Sequence, residues 1–315
     1  MAKSTKIISF QGEIGANSDL ACRRIRPSMK TLPCHSFEDT FAAVSTGEAD
    51  LALIPIDNSV AGRVADIHHL LPASRLHIIE EHFQRVEHNL LAVKGAILED
   101  LSHVHSHVHA LNQCRKFIQR QGVTPVVHVD TAAAARDIAE RGDKSHGAIA
   151  TKLAGETYGL ESLQNNIEDA DHNTTRFLLM APKPTHVAPD EVDVMTSFIF
   201  RVRNVPAALY KSLGGFATNG VNITKLESYL IDGGFVAAQF YAEVEGHPDN
   251  HAVKLALEEL NFFSTEVRIL GTYPADPFRK SMNDIHEYVM NLNNFKTSYS
   301  ANEPGWTWKI ENNCC

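Results

Sequence analysis

The sequence predicts an α/β protein followed by a smaller α+β module. Three observations support this fold class. Strand-like and helix-like segments alternate from Lys6 to about Met180, and prolines between Pro182 and Pro189 then interrupt the pattern. After them the order becomes β-α-β-β-α-β. The length of 315 residues is roughly twice that of a typical domain.

Hydrophobic patterning justifies the elements of the first part in order. Lys6–Phe10 predicts a strand, from which a turn of small residues leads into a helix over Asp19–Arg26. Ala49–Ile56 is typical of a buried parallel strand, which ends in Asp57–Ser59 before another helical stretch. Further strands are predicted at His77–Glu81, His88–Val93, His103–His105, Pro125–Val129, Gly147–Ala150 and Phe177–Met180, and further helices at Val108–Gln121 and Thr131–Arg141.

The second part is typical of a ferredoxin-like module. Its predicted elements are strand Thr196–Val202, helix Pro206–Thr218, strand Val221–Ile231, a turn at Gly233-Gly234, strand Phe235–Glu245, helix Asn250–Leu260 and strand Glu266–Tyr273. We therefore expect a first domain over residues 1–182, a linker over 183–193 and the module over 194–274. Residues 275–315 are an Asn-rich tail, for which a native extension with a helix around Ile285–Leu292 and vector-derived sequence are alternatives.

Charge and composition exclude several classes of partner. The chain has 29 Lys and Arg against 38 Asp and Glu, a net charge of −9, so no overall positive field attracts nucleic acid or an anionic membrane. Apolar runs such as Leu51–Ile56 fall short of the ~20 residues that span a bilayer. Because Met1–Phe10 lacks the features of a signal peptide, we expect a cytoplasmic protein. The cysteines form no C-x-x-C pair, so no metal site is expected from them.

Two predicted strand-to-helix junctions carry small, hydrogen-bonding residues. Gly12 and Gly15 follow the first strand, and Asn58 and Ser59 follow the strand that ends at Ile56. Such residues either seat an anion at a helix N-terminus or serve as ordinary caps and turns. Since ligands of open α/β sheets bind at the carboxyl ends of strands, we expect a shared cleft there.

Alternating histidines in His103–His109 suggest a metal site as one interpretation. Ser106, however, is a good N-cap for the following helix, which would end the strand near His105. On that interpretation His107 binds an anion at the helix start, as a neutral or a charged donor.

The segment Asn173–Phe177 carries the last candidate residues. Arg176 can clamp a carboxylate in two-point geometry, and the adjacent Thr174 and Thr175 hydroxyls can donate to a leaving oxygen. Taken alone, the segment could equally be a polar turn before a strand.

Several of these segments together resemble the bacterial prephenate dehydratases. The resemblance rests on Gly12–Ser18, Ile54–Gly62, Ser106–Leu111 with Cys114, Asp130–Ala134, Gly147–Leu160 and Asn173–Phe177, which occur in order. The module over Val194–Pro274 resembles the ACT regulatory domain of that family, with its motifs at Ala207–Leu209 and Glu227–Leu230. There Ala207, Tyr229 and Leu230 depart from the family's usual Gly-Ala-Leu and Glu-Ser-Arg-Pro.

The resemblance implies two lobes of the periplasmic-binding-protein type with the active site between them. It implies conversion of prephenate into phenylpyruvate, CO₂ and water in L-phenylalanine biosynthesis, with no cofactor and no metal. Thr175 would be the catalytic residue. The substrate-binding residues would be Asn58, Ser59, Ser106, His107, Thr131, Thr174, Arg176 and Phe177.

Feedback regulation by L-phenylalanine is also implied, within a homodimer or a homotetramer. The effector would bind Ala208, Leu209, Asn222, Glu227 and Ser228. Two alternatives remain open at this point: an arogenate dehydratase, and a non-catalytic two-lobed protein that senses an amino acid.

Overall fold

Two β-sheets build the first part of the chain, and a third builds the C-terminal module. The computed structural model describes residues 5–67, 69–203, 205–230 and 237–281. The unit that contains the three sheets ends at Ala275, and a second unit begins at Asp276.

The first sheet belongs to the first lobe. Its strands are β1 (Ile7–Gln11), β2 (Lys30–Cys34), β3 (Leu51–Asn58), β4 (Gly62–Arg63), β5 (His77–Arg85) and β11 (Thr174–Ala181), and its helices are α1 (Asn17–Ile25), α2 (Phe37–Ser45) and α3 (Leu70–Ala73). The order is β2-β1-β3-β11-β5, with β4 paired to β3. Strands β1, β2 and β3 are parallel, whereas β11 runs antiparallel to both neighbours.

The second sheet belongs to the second lobe. Its strands are β6 (Asn89–Ala92), β7 (His103–His107), β8 (Thr124–His128), β9 (His146–Ala150) and β10 (Glu161–Gln164), and its helices are α4 (Val108–Gln113), α5 (Arg115–Gln121), α6 (Thr131–Arg141) and α7 (Lys152–Tyr158). The order is β10-β6-β9-β7-β8. The chain enters this lobe between β5 and β6 and leaves it between β10 and β11. These two crossings confirm the two-lobed fold.

The C-terminal module has the predicted β-α-β-β-α-β order. Its elements are β12 (Val194–Val202), α8 (Ala208–Thr218), β13 (Ile223–Leu230), β14 (Ala237–Glu245), α9 (His251–Phe263) and β15 (Ser264–Pro274). The antiparallel sheet has the order β13-β14-β12-β15, which is the ferredoxin-like arrangement.

The two central strands of the module's sheet, β12 and β14, are buried on both faces. One face packs under its own helices through residues such as Phe198, Phe240 and Leu260. The other face contributes Ile199 and Tyr241 to a core shared with the first lobe. The module is therefore joined to the first lobe by a continuous apolar core.

Strand β11 separates two environments. Phe177 and Leu179 pack with β1 and α1, whereas Leu178 and Met180 enter the core shared with the module. This follows from the two-residue period of a strand, in which successive side chains point to opposite faces.

Three predicted elements need correction. The helical stretch expected after Asp57–Ser59 does not follow directly, because β3 continues to Asn58 and turns back into β4 before α3 begins at Leu70. The helix expected over Val108–Gln121 is divided at Cys114, whose φ of −117° and ψ of 24° are not helical. Strand β7 continues to His107, beyond the predicted end at His105.

Two sequence-based predictions lie outside the described residues, namely the turn at Gly233-Gly234 and the helix around Ile285–Leu292. Among the helices that are described, none is long and apolar enough to span a membrane.

Candidate active site

Asn58 and Thr175 face each other where β3 and β11 are paired. The Asn58 Nδ2 group donates to Thr175 Oγ1 at 2.9 Å, and Asn58 Oδ1 accepts from the Val60 and Ala61 backbone N–H groups. The amide orientation is thus determined at both ends. Because Thr175 Oγ1 accepts a bond from Asn58, its own hydrogen is available to donate to another oxygen.

A polar chain continues from Asn58 into the second lobe. Asn58 Nδ2 also donates to Asn173 Oδ1 at 2.9 Å, and Asn173 Nδ2 donates to Gln113 Oε1 at 2.9 Å. Gln113 Oε1 is also 2.8 Å from His88 Nε2. Since a carbonyl oxygen only accepts, His88 Nε2 carries the hydrogen. Burial lowers the pKa of His88, so the ring is neutral at pH 7.

Ser59 ties the turn after β3 to the start of β11. Its Oγ donates to the His172 carbonyl at 2.7 Å and accepts from the Thr174 backbone N–H at 2.9 Å. The structure therefore brings together four expected site residues on the first lobe, with Ser59 and Thr174 next to the pair formed by Asn58 and Thr175.

Ser106 does not have the expected position. It is buried inside β7, where its Oγ donates to the Ile149 carbonyl at 2.6 Å. The N-cap of α4 is instead His107, whose Nδ1 accepts from the His109 backbone N–H at 3.3 Å. The prediction of Ser106 as an N-cap is wrong because β7 is longer than expected. The Ser106 hydroxyl instead links β7 to β9.

His107 is a neutral hydrogen-bond donor. Its Nδ1 is an acceptor at the start of α4, so the ring hydrogen lies on Nε2. Burial lowers the pKa of His107, and the neighbouring His109 lowers it further. Of the two roles left open by the sequence, the geometry favours the uncharged one.

Of the two expected anion seats, the one at Gly12 and Gly15 is occupied by a carboxylate of the chain, and so is the N-terminus of α6. The other expected seat, at Asn58 and Ser59, lies where β3 turns back into β4 and not at a helix N-terminus. The Gly15 backbone N–H donates to the buried Asp19 at 2.8 Å. At the start of α6, Asp130 Oδ1 accepts from the Ala132 and Ala133 N–H groups at 2.7 and 3.0 Å. Thr131 is the first residue of that helix. We therefore do not assign these N–H groups to substrate.

The absence of a side chain at Gly15 allows the two lobes to approach each other closely. Its φ is +91°, and a Cβ at this position would stand 2.8 Å from the Ala154 Cα atom. Thr151 Oγ1 donates to the Gly15 carbonyl, and Tyr158 OH donates to the Ile14 carbonyl at 2.9 Å. The loop after β1 is thus a contact between lobes.

Arg176 points away from Thr175. Its side chain is 7% exposed, with Nε 2.8 Å from Glu81 Oε2 and Nη1 2.8 Å from Glu243 Oε2. Burial alone would lower the pKa of Arg176, but Glu243 and Glu81 raise it well above the usual value. The expectation of a guanidinium that clamps substrate needs correction, because two carboxylates of the chain already hold it.

Phe177 also differs from its expected role. It is buried among Phe10, Ala21 and Leu53 in the core under α1. Its ring stabilises the first lobe from within.

The alternating histidines of β7 lie on one face of the second sheet. His105 Nε2 is 2.8 Å from His146 Nδ1, and the His103 ring stacks on His146 with centroids 4.8 Å apart. Among the described residues, no group of three or more His, Cys, Asp or Glu side chains is arranged to hold a metal ion.

Of the five expected effector residues, Glu227 differs from the others because it forms an ion pair with the first lobe. Its side chain pairs with Arg63 of the first lobe at 3.0 Å and with Lys225 at 3.3 Å. Ser228 is exposed on the opposite face of β13, Ala208 is buried at the start of α8, and Leu209 packs in the core under the helices. Asn222 donates to Glu245 at 3.1 Å.

A cavity of about 220 Å³ lies between the lobes. The turn at Val60 and Ala61 forms one wall, His109 and Gln113 of α4 form another, and Asn173 also lines it. The polar chain described above thus reaches the surface of an interlobe cavity.

Comparison with known proteins identifies the family of the chain. The family model described as prephenate dehydratase matches residues 8–185, more than half of the chain. The chain belongs to the prephenate dehydratase family. As a family member it is an enzyme, a lyase of aromatic amino acid biosynthesis.

Curated relatives and solved structures agree with this assignment. A bifunctional N-acyl-homoserine lactone acylase/prephenate dehydratase of Komagataeibacter europaeus is 52% identical, over 87% of this chain and 98% of the relative. The chloroplastic arogenate dehydratase/prephenate dehydratase 1 of Arabidopsis thaliana is 37% identical, over 86% and 73%. The prephenate dehydratase of Arthrobacter aurescens in complex with L-Phe is 26% identical, with a TM-score of 0.78 over 91% of this chain and 99% of that one.

Sequence reasoning missed Gln113 and His88 of this family member. Gln113 lies four residues after His109 on α4, a spacing that places both side chains on one face of a helix. That spacing was a usable signal for Gln113. The role of His88 depends on the crossing between lobes, which local patterning does not reveal.

Proposed function

We propose that this enzyme converts prephenate into phenylpyruvate, CO₂ and water in L-phenylalanine biosynthesis. The observation that carries the proposal is the hydrogen bond from Asn58 to Thr175, which leaves the threonine hydroxyl oriented as a donor at the carboxyl end of β3. Membership of the prephenate dehydratase family supports it.

The reaction breaks two bonds of the substrate ring. Cleavage of the carbon–carbon bond to the ring carboxylate releases CO₂, and its electron pair enters the ring as the carbon–oxygen bond of the ring hydroxyl breaks. The departing hydroxide takes up a proton to form water, and the ring becomes aromatic. The enzyme must therefore hold the substrate rigidly and stabilise the departing oxygen.

Thr175 donates its hydrogen bond to that oxygen. The bond it accepts from Asn58 polarises its O–H group and strengthens this donation. A threonine hydroxyl is too weak an acid to lose its proton, so the net proton comes from water, and the neutral ring of His107 can contribute a hydrogen bond but not that proton. His107, Thr131 and Thr174 remain our candidates for contacts with the substrate.

Regulation by L-phenylalanine is part of the proposal. The C-terminal module, which we interpret as an ACT domain over residues 194–274, has the fold order expected for one. The relative from Arthrobacter aurescens was solved in complex with L-Phe. Ala208, Leu209, Asn222 and Ser228 are candidate effector contacts, in a homodimer or homotetramer.

Two further activities have specific support. The Arabidopsis relative carries arogenate dehydratase in its name, and arogenate differs from prephenate by an ammonium in place of a keto group. The Komagataeibacter relative carries N-acyl-homoserine lactone acylase in its name. Both substrates therefore belong in the same assay.

The deciding experiment is steady-state turnover of the purified full chain. Prephenate, arogenate and an N-acyl-homoserine lactone are supplied separately. Phenylpyruvate formed from prephenate is followed by its absorbance, and L-phenylalanine formed from arogenate and homoserine lactone formed from the acylated lactone are measured by chromatography. The prephenate assay is repeated with added L-phenylalanine. We expect turnover of prephenate that L-phenylalanine reduces. Binding of L-phenylalanine without turnover of any substrate would support the sensing alternative, and turnover of arogenate alone would reassign the substrate.

A further inference from the structure

A row of charged side chains crosses the junction between the first lobe and the C-terminal module. On the lobe, the row runs over four neighbouring strands with Glu81 on β5, Arg176 on β11, Asp57 on β3 and Arg63 on β4. On the module, Glu243 of β14 lies beside Lys225 of β13, and Glu227 follows two residues later on the same face. We call these seven residues the junction row.

Charges of opposite sign meet across the junction. Arg176 Nη1 is 2.8 Å from Glu243 Oε2, Lys225 Nζ is 2.7 Å from Asp57 Oδ1, and Arg63 Nη1 is 3.0 Å from Glu227 Oε2. Each of these three pairs joins one residue of the lobe to one residue of the module.

The junction row is adjacent in the chain to the pair formed by Asn58 and Thr175. Asp57 precedes Asn58, and Arg176 follows Thr175. Adjacent residues of a strand point to opposite faces, so the peptide that carries Asp57 toward the module also carries Asn58 toward Asn173 and Thr175. Asp57 and Arg176 are themselves partners in the pairing of β3 with β11.

The pairs at the inner end of the row are firmly held. The side chains of Arg176 and Lys225 are 7% and 13% exposed. Separating the partners of a buried pair leaves both charges without compensation. A shift of the module that broke these contacts would therefore be unfavourable.

We infer that Lys225 of the C-terminal module is a positioning residue for the dehydration reaction. It holds Asp57 and thereby fixes the Asn58 amide that donates to Thr175. This inference rests on the proposed function. It makes the module a part of the active-site scaffold even when no effector is bound.

Lys225 is also shared with the expected effector motif. Its ammonium is 3.3 Å from Glu227 Oε1. Burial alone would raise the pKa of Glu227, but Lys225 and Arg63 lower it, so the carboxylate is ionised and competes with Asp57 for the same ammonium. A change in the contacts of Glu227 would therefore alter the position of the Lys225 ammonium, and through Asp57 the position of Asn58.

The test compares Lys225→Met with the matched control Lys254→Met, which removes an exposed lysine of α9 in the same module. With prephenate we expect kcat of Lys225→Met to fall on the order of 10- to 100-fold. KM should change far less, and Lys254→Met should match wild type. Lys225→Arg should restore most of the loss, since it keeps the charge.

A double-mutant cycle separates positioning from general destabilisation. In a Thr175→Val background the additional Lys225→Met change should have little effect on kcat, because the hydroxyl that Lys225 orients is already absent. Should Lys225→Met fail to fold, Lys225→Gln serves in the same cycle.

Two results would overturn the inference while leaving the proposed function intact. One is an active wild type with unchanged kcat in the Lys225 variant. The other is an equal loss of kcat in the wild-type and Thr175→Val backgrounds. A folded wild type that does not turn over prephenate would instead contradict the proposed function, and the inference with it.

Discussion

Thr175 and Arg176 are neighbours in the chain with opposite surroundings. The sequence marks both as functional, because hydroxyl and guanidinium groups suit a carboxylate substrate. The threonine hydroxyl accepts a hydrogen bond from Asn58, but the arginine pairs with Glu81 and Glu243. The residue pattern could not reveal this difference, since it depends on which surface covers the back of the sheet.

Asn58 offers the first test at this scale. Asn58→Asp replaces the N–H donor with an acceptor, so Thr175 loses the bond that orients it. We expect kcat with prephenate to fall at least about 10-fold, by the loss of preorganisation. Asn261→Asp, an exposed change of the same chemistry on α9, is the control. A kcat equal to that of the control would remove Asn58 from the site.

A variant of Ser106 tests whether this residue has a structural role and not a role in substrate binding. Because its hydroxyl donates to the Ile149 carbonyl inside the second sheet, Ser106→Ala should lower the free energy of unfolding by about 1–3 kcal/mol. KM for prephenate should stay near the wild-type value. Denaturant unfolding together with steady-state kinetics measures both. A large rise in KM with unchanged stability would restore the original assignment.

At the scale of elements, alternation of strands and helices predicted most of the first two sheets. Thr131–Arg141 is recovered to the residue as α6, where Asp130 caps the start and Gly142 ends the helix in the left-handed region. The helical stretch expected after Ile56 begins later than the pattern suggests, because β4 and β11, neighbours of β3 in space, extend the strand to Asn58. Pairing between distant segments is not written in a local pattern.

Strand β7 gives a pH-dependent prediction. Burial, with the neighbouring His146, Arg141, His103 and His128, lowers the pKa of His105 to about 4. The unfolded chain has a histidine pKa of about 6.5, so between pH 6.5 and 4 it binds more protons than the folded one. The contribution of His105 to the free energy of unfolding is therefore complete above pH 6.5. It is lost as the pH falls through that window, and the loss reaches about 2 to 3 kcal/mol at pH 4.

The measurement is the thermal midpoint between pH 4 and 7 for wild type, His105→Asn and the exposed control His35→Asn. Wild type and the His35 variant should lose stability in parallel, and the His105 variant should lose less. Three parallel curves would show that His105 does not titrate in this window.

At the scale of the whole molecule, the sequence predicted two parts but not how they are joined. Length, proline punctuation and the change of element order indicated a separate module. The shared apolar core and the junction row join residues that are far apart in the chain, and Asp57 and Lys225 are 168 positions apart. Both sides look like ordinary sheet faces in the sequence, so the docking of the module was not predictable.

Arg176 tests the junction itself. Arg176→Met leaves Glu81 and Glu243 buried without their shared cation, so we expect a loss of stability of about 3–5 kcal/mol. Denaturant unfolding measures it, with Arg201→Met as the control, since Arg201 forms a half-exposed pair with Glu266 inside the module. Equal stability of the two variants would contradict the role of Arg176 at the junction.

The most direct test of the proposed mechanism is kcat with prephenate for Thr175→Val and Thr175→Ser. Valine keeps the shape of threonine without its hydroxyl, and serine keeps the hydroxyl. Loss of one well-placed donor should reduce kcat of the valine variant by about 10²–10³, while the serine variant keeps most of its activity. A folded Thr175→Val enzyme with wild-type kcat would contradict the account.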